Sequence, residues 1–278
     1  MPRAAEGRPK RDSDVPGPSR NFDLNVEKVL EGWKISHAIR ELIANALDEQ
    51  ALSGSAPIEI TTVGGERWRI RDFGRGLRHA HFTQHESAEK RRREPEVMGR
   101  FGVGLKDALA VLDRRGVAVE LHSAYGDISL AHHAKHGFGD ITTLHARVSA
   151  PTDAGMVGTE ILLTGLKKAD MEEARGFFLR FSGEQVLEVT KFGEILRRRD
   201  GEPARIYVKG LVVAEEPNFG FSYNITSLTQ AMRRALNRER TNVGRTAYSD
   251  RVKAMLLVAE SEAVADLTVA HSRGPIVS

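Results

Sequence analysis

The chain has 278 residues, 40% of them hydrophobic, which is enough to bury the core of one large domain or of a domain with a smaller extension. It contains no cysteine, and this excludes disulfide bonds, thiolate catalysis and cysteine-rich zinc sites. The 41 basic and 38 acidic side chains leave a net charge of +3, so the total charge gives no argument for binding nucleic acid. The sequence has neither a run of about 18 apolar residues nor an apolar signal segment at its start, and we expect a cytoplasmic protein that does not enter a membrane.

The first third of the chain predicts a tail, a helix, a hairpin and a long loop. Residues 1–21 are rich in Pro, Gly and charged side chains and predict a flexible tail. A helix is predicted over about 25–52, either continuous or broken at Gly32, and a Ser-Gly-Ser stretch ends it. PIEITTV and ERWRIRDF, separated by two glycines, predict a β-hairpin. Residues 77–98 predict a long loop with one helical turn, and loops of this length are often functional.

Strand patterns dominate the rest. A second apolar helix is predicted over about 102–113, followed by the strand segments VAVELHSA, DISLAHH, ITTLHARVS and GTEILLTGL. Helices are then predicted over about 168–180, 226–237 and 247–266, with a hairpin at ARIYVKGLVVAEE. Runs of strands with helices set apart predict an α+β fold, a two-layer sandwich with a mixed, mostly antiparallel sheet and helices on one face. We expect this domain at 22–166, with a mixed α/β extension at 167–278.

The helix segment IRELIANALDEQ carries an acid and an amide, Glu41 and Asn45, one turn apart among apolar residues. Residues four apart share one helix face, so the two side chains project together. The pair is either an ordinary solvated face or a pair that holds a ligand.

The hairpin ends in Asp72-Phe73-Gly74-Arg75-Gly76. An Asp at a strand end, followed by Gly-x-Gly, puts a carboxylate beside backbone that a flat ligand can approach closely. A carboxylate accepts hydrogen bonds and so suits an exocyclic amine such as that of adenine. The same pattern is also common in turns without a ligand.

A second glycine motif, GRFGVGLKD, leads directly into the helix predicted from about 102. Unpaired N–H groups and the helix dipole make such a start a phosphate cradle, with Lys106 in the first turn. The glycine spacing does not fit a dinucleotide-binding fingerprint, and Lys106 is not followed by the Ser or Thr of a P-loop. A hinge before a core helix remains the alternative. Further on, Gly158-Thr159 opens an apolar strand.

These four motifs in this order resemble the ATP-binding domain of the GHKL superfamily. That superfamily contains gyrase, the ninety-kilodalton heat-shock chaperone, sensor histidine kinases, MutL and MORC proteins. The resemblance covers about residues 25–166, and the motif style is nearest to the chaperone, MutL and MORC branches.

The resemblance implies a role for each matched residue. Asn45 would hold Mg²⁺, Glu41 would activate the attacking water, and Asp48 would orient Asn45 or nearby backbone. Asp72 would bind the adenine amine with support from Thr159. Gly74 and Gly76 would let the base approach, and Leu77 is expected to contribute to the nucleotide site. The residues expected to wrap the phosphates of ATP are Gly99, Arg100, Phe101, Gly102, Val103, Gly104, Leu105 and Lys106, and 77–98 would form the lid.

In ATPases of this superfamily a basic residue from a following domain commonly reaches the γ-phosphate. Arg238 and Arg240 are candidates for that role here, and arginines that complement a helix end are the alternative.

The resemblance predicts an ATPase that acts as a nucleotide-driven switch and an ATP-dependent homodimer. A protein kinase acting on His or on Ser/Thr, and an ATP-sensing module without turnover, are the alternatives. The basic run Lys90, Arg91, Arg92 and Arg93 is either a solvated loop or a contact for a partner protein or nucleic acid.

Overall fold

The computed structural model describes residues 19–24, 30–83, 104–135, 138–236 and 244–266. The described residues form two compact units, of which the first ends at Lys168 and the second begins at Ala169. In these ranges no helix is long and apolar enough to cross a membrane.

The described residues of the first unit form seven strands and three helices. The strands are β1 (Arg20–Asp23), β2 (Glu59–Gly64), β3 (Arg67–Arg71), β4 (Ala118–Ser123), β5 (Gly126–Lys135), β6 (Phe138–Ser149) and β7 (Thr159–Thr164). They form one sheet in the order β1-β6-β5-β4-β7-β3-β2, and every neighbouring pair is antiparallel. The helices are α1 (Ile35–Ser53), α2 (Ala80–Thr83) and α3 (Gly104–Arg114).

One face of this sheet is apolar and is covered by helices. Alternate residues point to one side of a strand, and on β4 and β7 the buried set includes Val119, Leu121, Ile161 and Leu163. The helices α1 and α3 pack on each other, α1 also meets β3, and α3 meets β4. Removing these apolar side chains from water is the main stabilising term. The predicted α+β class with a mostly antiparallel sheet is therefore confirmed.

The first long helix begins later than predicted. It starts at Ile35 rather than near residue 25, because Lys34 is an extended N-cap and its backbone N–H donates to Nδ1 of His37 at 3.1 Å. Leu30, with a φ of 59°, also lies outside helical geometry. Residues 25–29 of the predicted helix lie outside the described residues. The helix ends at Ser53 and is capped by Gly54, whose left-handed φ of 66° allows its N–H to bond to the carbonyl of Gln50.

The predicted tail ends earlier than expected. Arg20 and Asn21 belong to β1, which pairs with β6 through Val148 and Arg147. Main-chain pairing with a neighbouring strand needs no apolar pattern in the segment itself, so its composition did not indicate it. Residues 1–18 lie outside the described part.

The described residues of the second unit include five strands and four helices, and the first of these helices starts at Lys168. They are α4 (Lys168–Gly176), α5 (Leu179–Ser182), β8 (Val186–Thr190), β9 (Gly193–Arg197), β10 (Ala204–Val208), β11 (Leu211–Glu216), β12 (Phe221–Ile225), α6 (Gln230–Ala235) and α7 (Arg245–Leu257). The sheet order is β11-β10-β12-β9-β8, with β10 and β12 parallel and the other pairs antiparallel. The core on one side of this sheet includes Ile206, Tyr223, Ile225, Met232 and Tyr248.

The predicted elements of this unit agree with the structure only in part. The predicted helix 168–180 stops at Gly176, because Phe177 accepts a backbone hydrogen bond from Val212 of β11 at 2.9 Å. The predicted hairpin at 204–216 is confirmed as β10 and β11. The helix expected at 226–237 spans Gln230–Ala235, and the one expected at 247–266 begins at Arg245 and ends at Leu257. Strands β8, β9 and β12 were not predicted.

Candidate functional site

The candidate site lies in the first unit, where α1, the loop after β3, the start of α3 and the start of β7 come together. Glu41 is buried with 2% of its surface exposed, Asp48 is buried, and Asn45 is half-buried. Glu41 and Asn45 lie on one face of the helix, one turn apart, as the spacing predicts.

Glu41 faces the N-terminus of α3. A methyl group placed on Gly104, the first residue of α3, would lie 2.6 Å from Oε2 of Glu41. A side chain at 104 would therefore force the carboxylate of Glu41 to move. Backbone N–H groups at a helix N-terminus carry partial positive charge and attract anions, so the start of α3 is a place that suits phosphate oxygens.

The other oxygen of Glu41 is engaged by its neighbour along the chain. Arg40 donates to Oε1 through Nε at 3.1 Å and through Nη2 at 3.0 Å. Both side chains are buried. Arg40 was not predicted from the sequence, because adjacent residues on a helix do not normally face each other.

Asp72 and Thr159 bind each other across the ends of β3 and β7. Oδ1 of Asp72 accepts from the backbone N–H of Thr159 at 3.2 Å and from that of Gly74 at 3.0 Å. In return, the backbone N–H of Asp72 donates to the carbonyl of Thr159 at 2.9 Å. The two separate sequence motifs that contain Asp72 and Thr159 thus form one structural element.

Burial raises the pKa of Asp72 above its ordinary value of 3.8. Hydrogen bonds from Gly74 and Thr159 act in the opposite direction and lower the pKa, while the nearby charge of Glu49 adds to the increase. A buried acid with a raised pKa, held beside glycines, is a candidate binding group.

Gly158 allows the approach of β7 to Asp72. Its φ is 79°, and a methyl group there would lie 2.1 Å from the carbonyl oxygen of Asp72. Gly76, with a φ of 85°, packs against Gly158 and the ring of Tyr125. Leu77 is held by its carbonyl, which accepts from Oγ of Ser123 at 2.6 Å.

Glu49 and Arg75 form an ion pair reinforced by a backbone hydrogen bond, here called the clamp, which was also not predicted from the sequence. Oε1 of Glu49 accepts from the backbone N–H and Nε of Arg75, each at 2.8 Å, and Oε2 accepts from Nη2 at 2.8 Å. Burial alone would raise the pKa of Glu49, but the bonds and charge of Arg75 lower it below its ordinary value. Glu49 lies eight residues after Glu41, in the same helical stripe as Asn45, and that spacing was the available signal.

The remaining predicted residues are placed as follows. Leu105 and Lys106 lie in the first turn of α3, half-buried, and Nζ of Lys106 is 5.6 Å from the ring centre of Phe22 on β1. The predicted residues that lie outside the described part of the chain are Gly99, Arg100, Phe101, Gly102, Val103, Arg238, Arg240 and the basic run Lys90, Arg91, Arg92 and Arg93. Among the residues that are described, no group of three His, Asp or Glu side chains is placed to hold a metal ion.

Comparisons with known proteins match both units. The family described as Mycoplasma pneumoniae MPN635 N-terminal domain matches residues 169–262. An uncharacterised protein of Mycoplasma pneumoniae is 38% identical over 241 residues, covering 85% of this chain and 96% of that protein. A second uncharacterised protein of the same organism is 34% identical over 100 residues, and the match spans only 28% of its length.

Two solved structures share a partial likeness. The ATPase region of Saccharomyces cerevisiae topoisomerase II bound to dexrazoxane matches 64% of this chain at 10% identity, with a TM-score of 0.40. The 43K ATPase domain of Thermus thermophilus gyrase B in complex with an aminocoumarin matches 62% at 17% identity, with a TM-score of 0.29. The matches cover 62% and 59% of those two chains, less than two thirds of each.

The fold and site define a protein of the α+β class that buries a helix-borne acid against the start of a second helix. The chain belongs to the same family as the 38%-identical Mycoplasma pneumoniae protein, with which it shares nearly that protein's whole length.

Proposed function

We propose that this protein is a Mg-ATP-binding ATPase of the GHKL type, in which Glu41 activates the attacking water. The observation that carries the proposal is the position of Glu41 Oε2 against Gly104, at the start of the helix that follows the glycine motif. A carboxylate beside a site suited to phosphate is what water activation requires. The order of the four sequence motifs supports the same function. The branch within the superfamily stays a prediction.

The adenine end of the proposed site is Asp72. One of its oxygens, Oδ1, accepts the N–H groups of Gly74 and Thr159 and so fixes the carboxyl group. A carboxylate fixed in this way can accept a hydrogen bond from the exocyclic amine of adenine. Gly74, Gly76 and Leu77 follow directly and form backbone that a flat ring can approach.

The donor chemistry of the site fits Mg²⁺. Asn45 offers an amide oxygen one turn from Glu41, and Mg²⁺ is commonly held by one or two protein oxygens together with phosphate oxygens and water. Asn45 would hold the ion, and Asp48, in the next turn of the helix, would orient Asn45 or nearby backbone. When bound, the ion would neutralise charge on the phosphates.

In the proposed reaction Glu41 accepts a proton from water as the water oxygen bonds to the γ-phosphorus. The bond from the γ-phosphorus to the bridging oxygen breaks, and ADP leaves with the electron pair. Lys106 and the glycine motif stabilise the charge of the phosphates, since phosphoryl transfer asks mainly for positioning and charge stabilisation. Arg238 and Arg240 stay candidates for a contact to the γ-phosphate.

The work of such an ATPase is proposed to be a conformational switch. The chain forms an ATP-dependent homodimer in the cytoplasm. Residues 84–98 of the predicted lid lie outside the described part of the chain. Lys90 to Arg93 supply a contact for a partner protein or nucleic acid. The mass of the particle in solution, measured with a non-hydrolysable ATP analogue and then with ADP, is expected to fall from dimer to monomer.

The test of hydrolysis is Glu41→Gln in the full chain. We expect ATP to bind with its affinity little changed and phosphate release to fall by at least about 100-fold, because the water loses its base. Glu120→Gln is the matched control, since Glu120 is exposed on the opposite face of the sheet and pairs with Arg67 at 3.5 Å. That control should keep the rate of the unsubstituted protein.

Two other outcomes would replace the proposal. Labelled phosphate that stays on protein, with none released, would indicate a kinase. Tight ATP binding with an equally low rate for the unsubstituted protein and Glu41→Gln would indicate a module that senses ATP without turnover.

A further inference from the structure

Arg40 is a large cation buried in the second turn of α1. Its side chain has no solvent exposure, and that of Glu41 is 3% exposed. Arginine is almost never fully buried unless it is paired, and the adjacent residue, Glu41, is one partner here. Neighbouring positions on a helix project in different directions, so the contact is not a by-product of helix geometry.

The two oxygens of Glu41 have different surroundings. Both bonds from Arg40 end on Oε1, at 3.1 Å from Nε and 3.0 Å from Nη2. Oε2 is the oxygen that faces Gly104. The carboxylate thus presents one oxygen to the guanidinium and the other to the start of α3.

Arg40 is itself held in place. Its guanidinium carbon lies 5.2 Å from the ring centre of Trp33, within the range of a cation–π contact. The carbonyl of Trp33 accepts from Nη2 of Arg115 at 3.1 Å, and Arg115 directly follows α3. One end of α3 therefore faces Glu41, and the other end is tied to the residue that stacks on Arg40.

We propose that Arg40 is a positioning residue for Glu41. It holds the carboxylate so that Oε2 serves as the proton acceptor of the hydrolysis proposed above, on which this inference rests. Trp33 fixes the plane of the guanidinium, and Arg115 links that arrangement to the helix whose start forms the phosphate end of the site.

The test is Arg40→Lys in the full chain. Lysine keeps the charge and loses the planar fork that binds one oxygen through two donors. We expect kcat to fall by at least about 10-fold while KM and the Kd for ATP stay within about 2-fold, since the carboxylate is misplaced and binding is not. Arg67→Lys, an exposed arginine of the opposite sheet face, is the matched control and should leave kcat unchanged.

A second arm separates positioning from a structural role. In a Glu41→Gln background, Arg40→Lys should cause no further loss of phosphate release, because Arg40 acts through Glu41. A purely structural role would lower ATP binding and activity in both backgrounds. If Arg40→Lys does not fold by circular dichroism, Trp33→Leu removes the stacking partner and is expected to lower kcat with the Kd for ATP unchanged.

The outcomes distinguish this inference from the function on which it rests. Suppose that the unsubstituted protein hydrolyses ATP through Glu41. If the folded variant (Arg40→Lys, or Trp33→Leu in its place) then has an equal or higher kcat, the positioning role is wrong and the proposed ATPase function stands. If the unsubstituted protein shows no hydrolysis that depends on Glu41, both are overturned.

Discussion

Oε2 of Glu41 and Gly104 approach so closely that a methyl group on the glycine would lie 2.6 Å from the oxygen. Glu41 is on α1 and Gly104 begins α3. The two residues are 63 positions apart in the sequence, and the fold brings them together. The close approach makes residue 104 a sensitive point for the proposed chemistry.

Gly104→Ala is expected to lower kcat without lowering stability. Alanine is the better helix former, so the helix itself should not suffer from the change at its first residue. The added methyl must displace the carboxylate, and a misplacement of about 1 Å can cost about 100-fold in rate. Phosphate release and thermal unfolding of the same sample measure the two effects.

The matched control is Gly139→Ala, because a methyl group there meets nothing within 4 Å. It should keep the original rate. An unchanged kcat for Gly104→Ala would remove Glu41 from the reaction or show that the carboxylate relaxes without cost.

Asp72→Asn is expected to weaken ATP binding by about 10- to 100-fold, the range of a hydrogen bond to a charged group. The amide keeps an oxygen for the N–H groups of Gly74 and Thr159 but can turn a donor towards the adenine amine. Calorimetric titration with ATP measures the change. Equal affinities of Asp72→Asn and the unsubstituted protein for ATP would show that adenine does not bind at Asp72.

The raised pKa of Asp72 gives two opposite dependences on pH. An acid whose folded pKa lies above its ordinary 3.8 stabilises the fold below that value, and this contribution is lost as the pH rises through the folded pKa. ATP affinity should rise over the same window, since the carboxylate is the better acceptor. Across this pH window, the free energy of unfolding of the native protein should fall while its affinity for ATP rises. Asp72→Asn should show neither change, as measured by denaturant unfolding and ATP titration.

Glu49→Gln tests the clamp on the loop after β3. Arg75 is half exposed, so solvent screening limits the contribution of the pair to about 1 kcal/mol. We expect a small loss of stability at pH 7 and a weaker affinity for ATP, because Arg75 and the neighbouring Gly74 lose their anchor. Glu59→Gln, which removes an exposed partner of Arg69, should affect neither quantity by as much.

The pKa of Glu49 also fixes the direction of the pH effect. Since its folded pKa lies below the ordinary 4.5, its contribution is present above that value and is lost as the pH falls through the folded pKa. The stability difference between the native protein and Glu49→Gln should therefore shrink in acid. A difference that grows below pH 4.5 would contradict the clamp.

The apolar patterns of the first unit were sufficient to predict its class, because the helices cover one sheet face and leave the other to solvent. The hairpin of β2 and β3 has the alternation and glycine turn that define such elements. Glu41 and Asn45 could be paired from spacing alone. Arg40 and Arg75 could not, since their contacts depend on side-chain direction and on a loop that folds back onto α1.

The second unit was harder to predict for a related reason. Every residue of β12, FSYNI, is buried, so the strand shows no alternation of exposure and contains two polar side chains, Ser222 and Asn224, that are satisfied only by the fold. Asn224 donates to Glu194 at 2.7 Å and accepts from the backbone of Gly210 at 2.8 Å. Those partners come from β9 and the β10–β11 turn, and a local pattern cannot indicate them.

Gly158→Ala should destabilise the first unit by more than a matched change at the other end of the same strand. Gly158 and Gly165 flank β7, and their φ values of 79° and 85° strain any other residue similarly, by about 1–2 kcal/mol. A methyl on Gly165 would meet its nearest atom at 3.4 Å, whereas one on Gly158 would lie 2.1 Å from the carbonyl oxygen of Asp72. Gly158→Ala should therefore cost at least about 2 kcal/mol more in denaturant unfolding and also weaken ATP binding, because Asp72 must move. Equal losses for the two variants would show that β7 shifts away from Asp72 at little cost, and the Asp72–Thr159 pair would then not be rigid enough to define the adenine site.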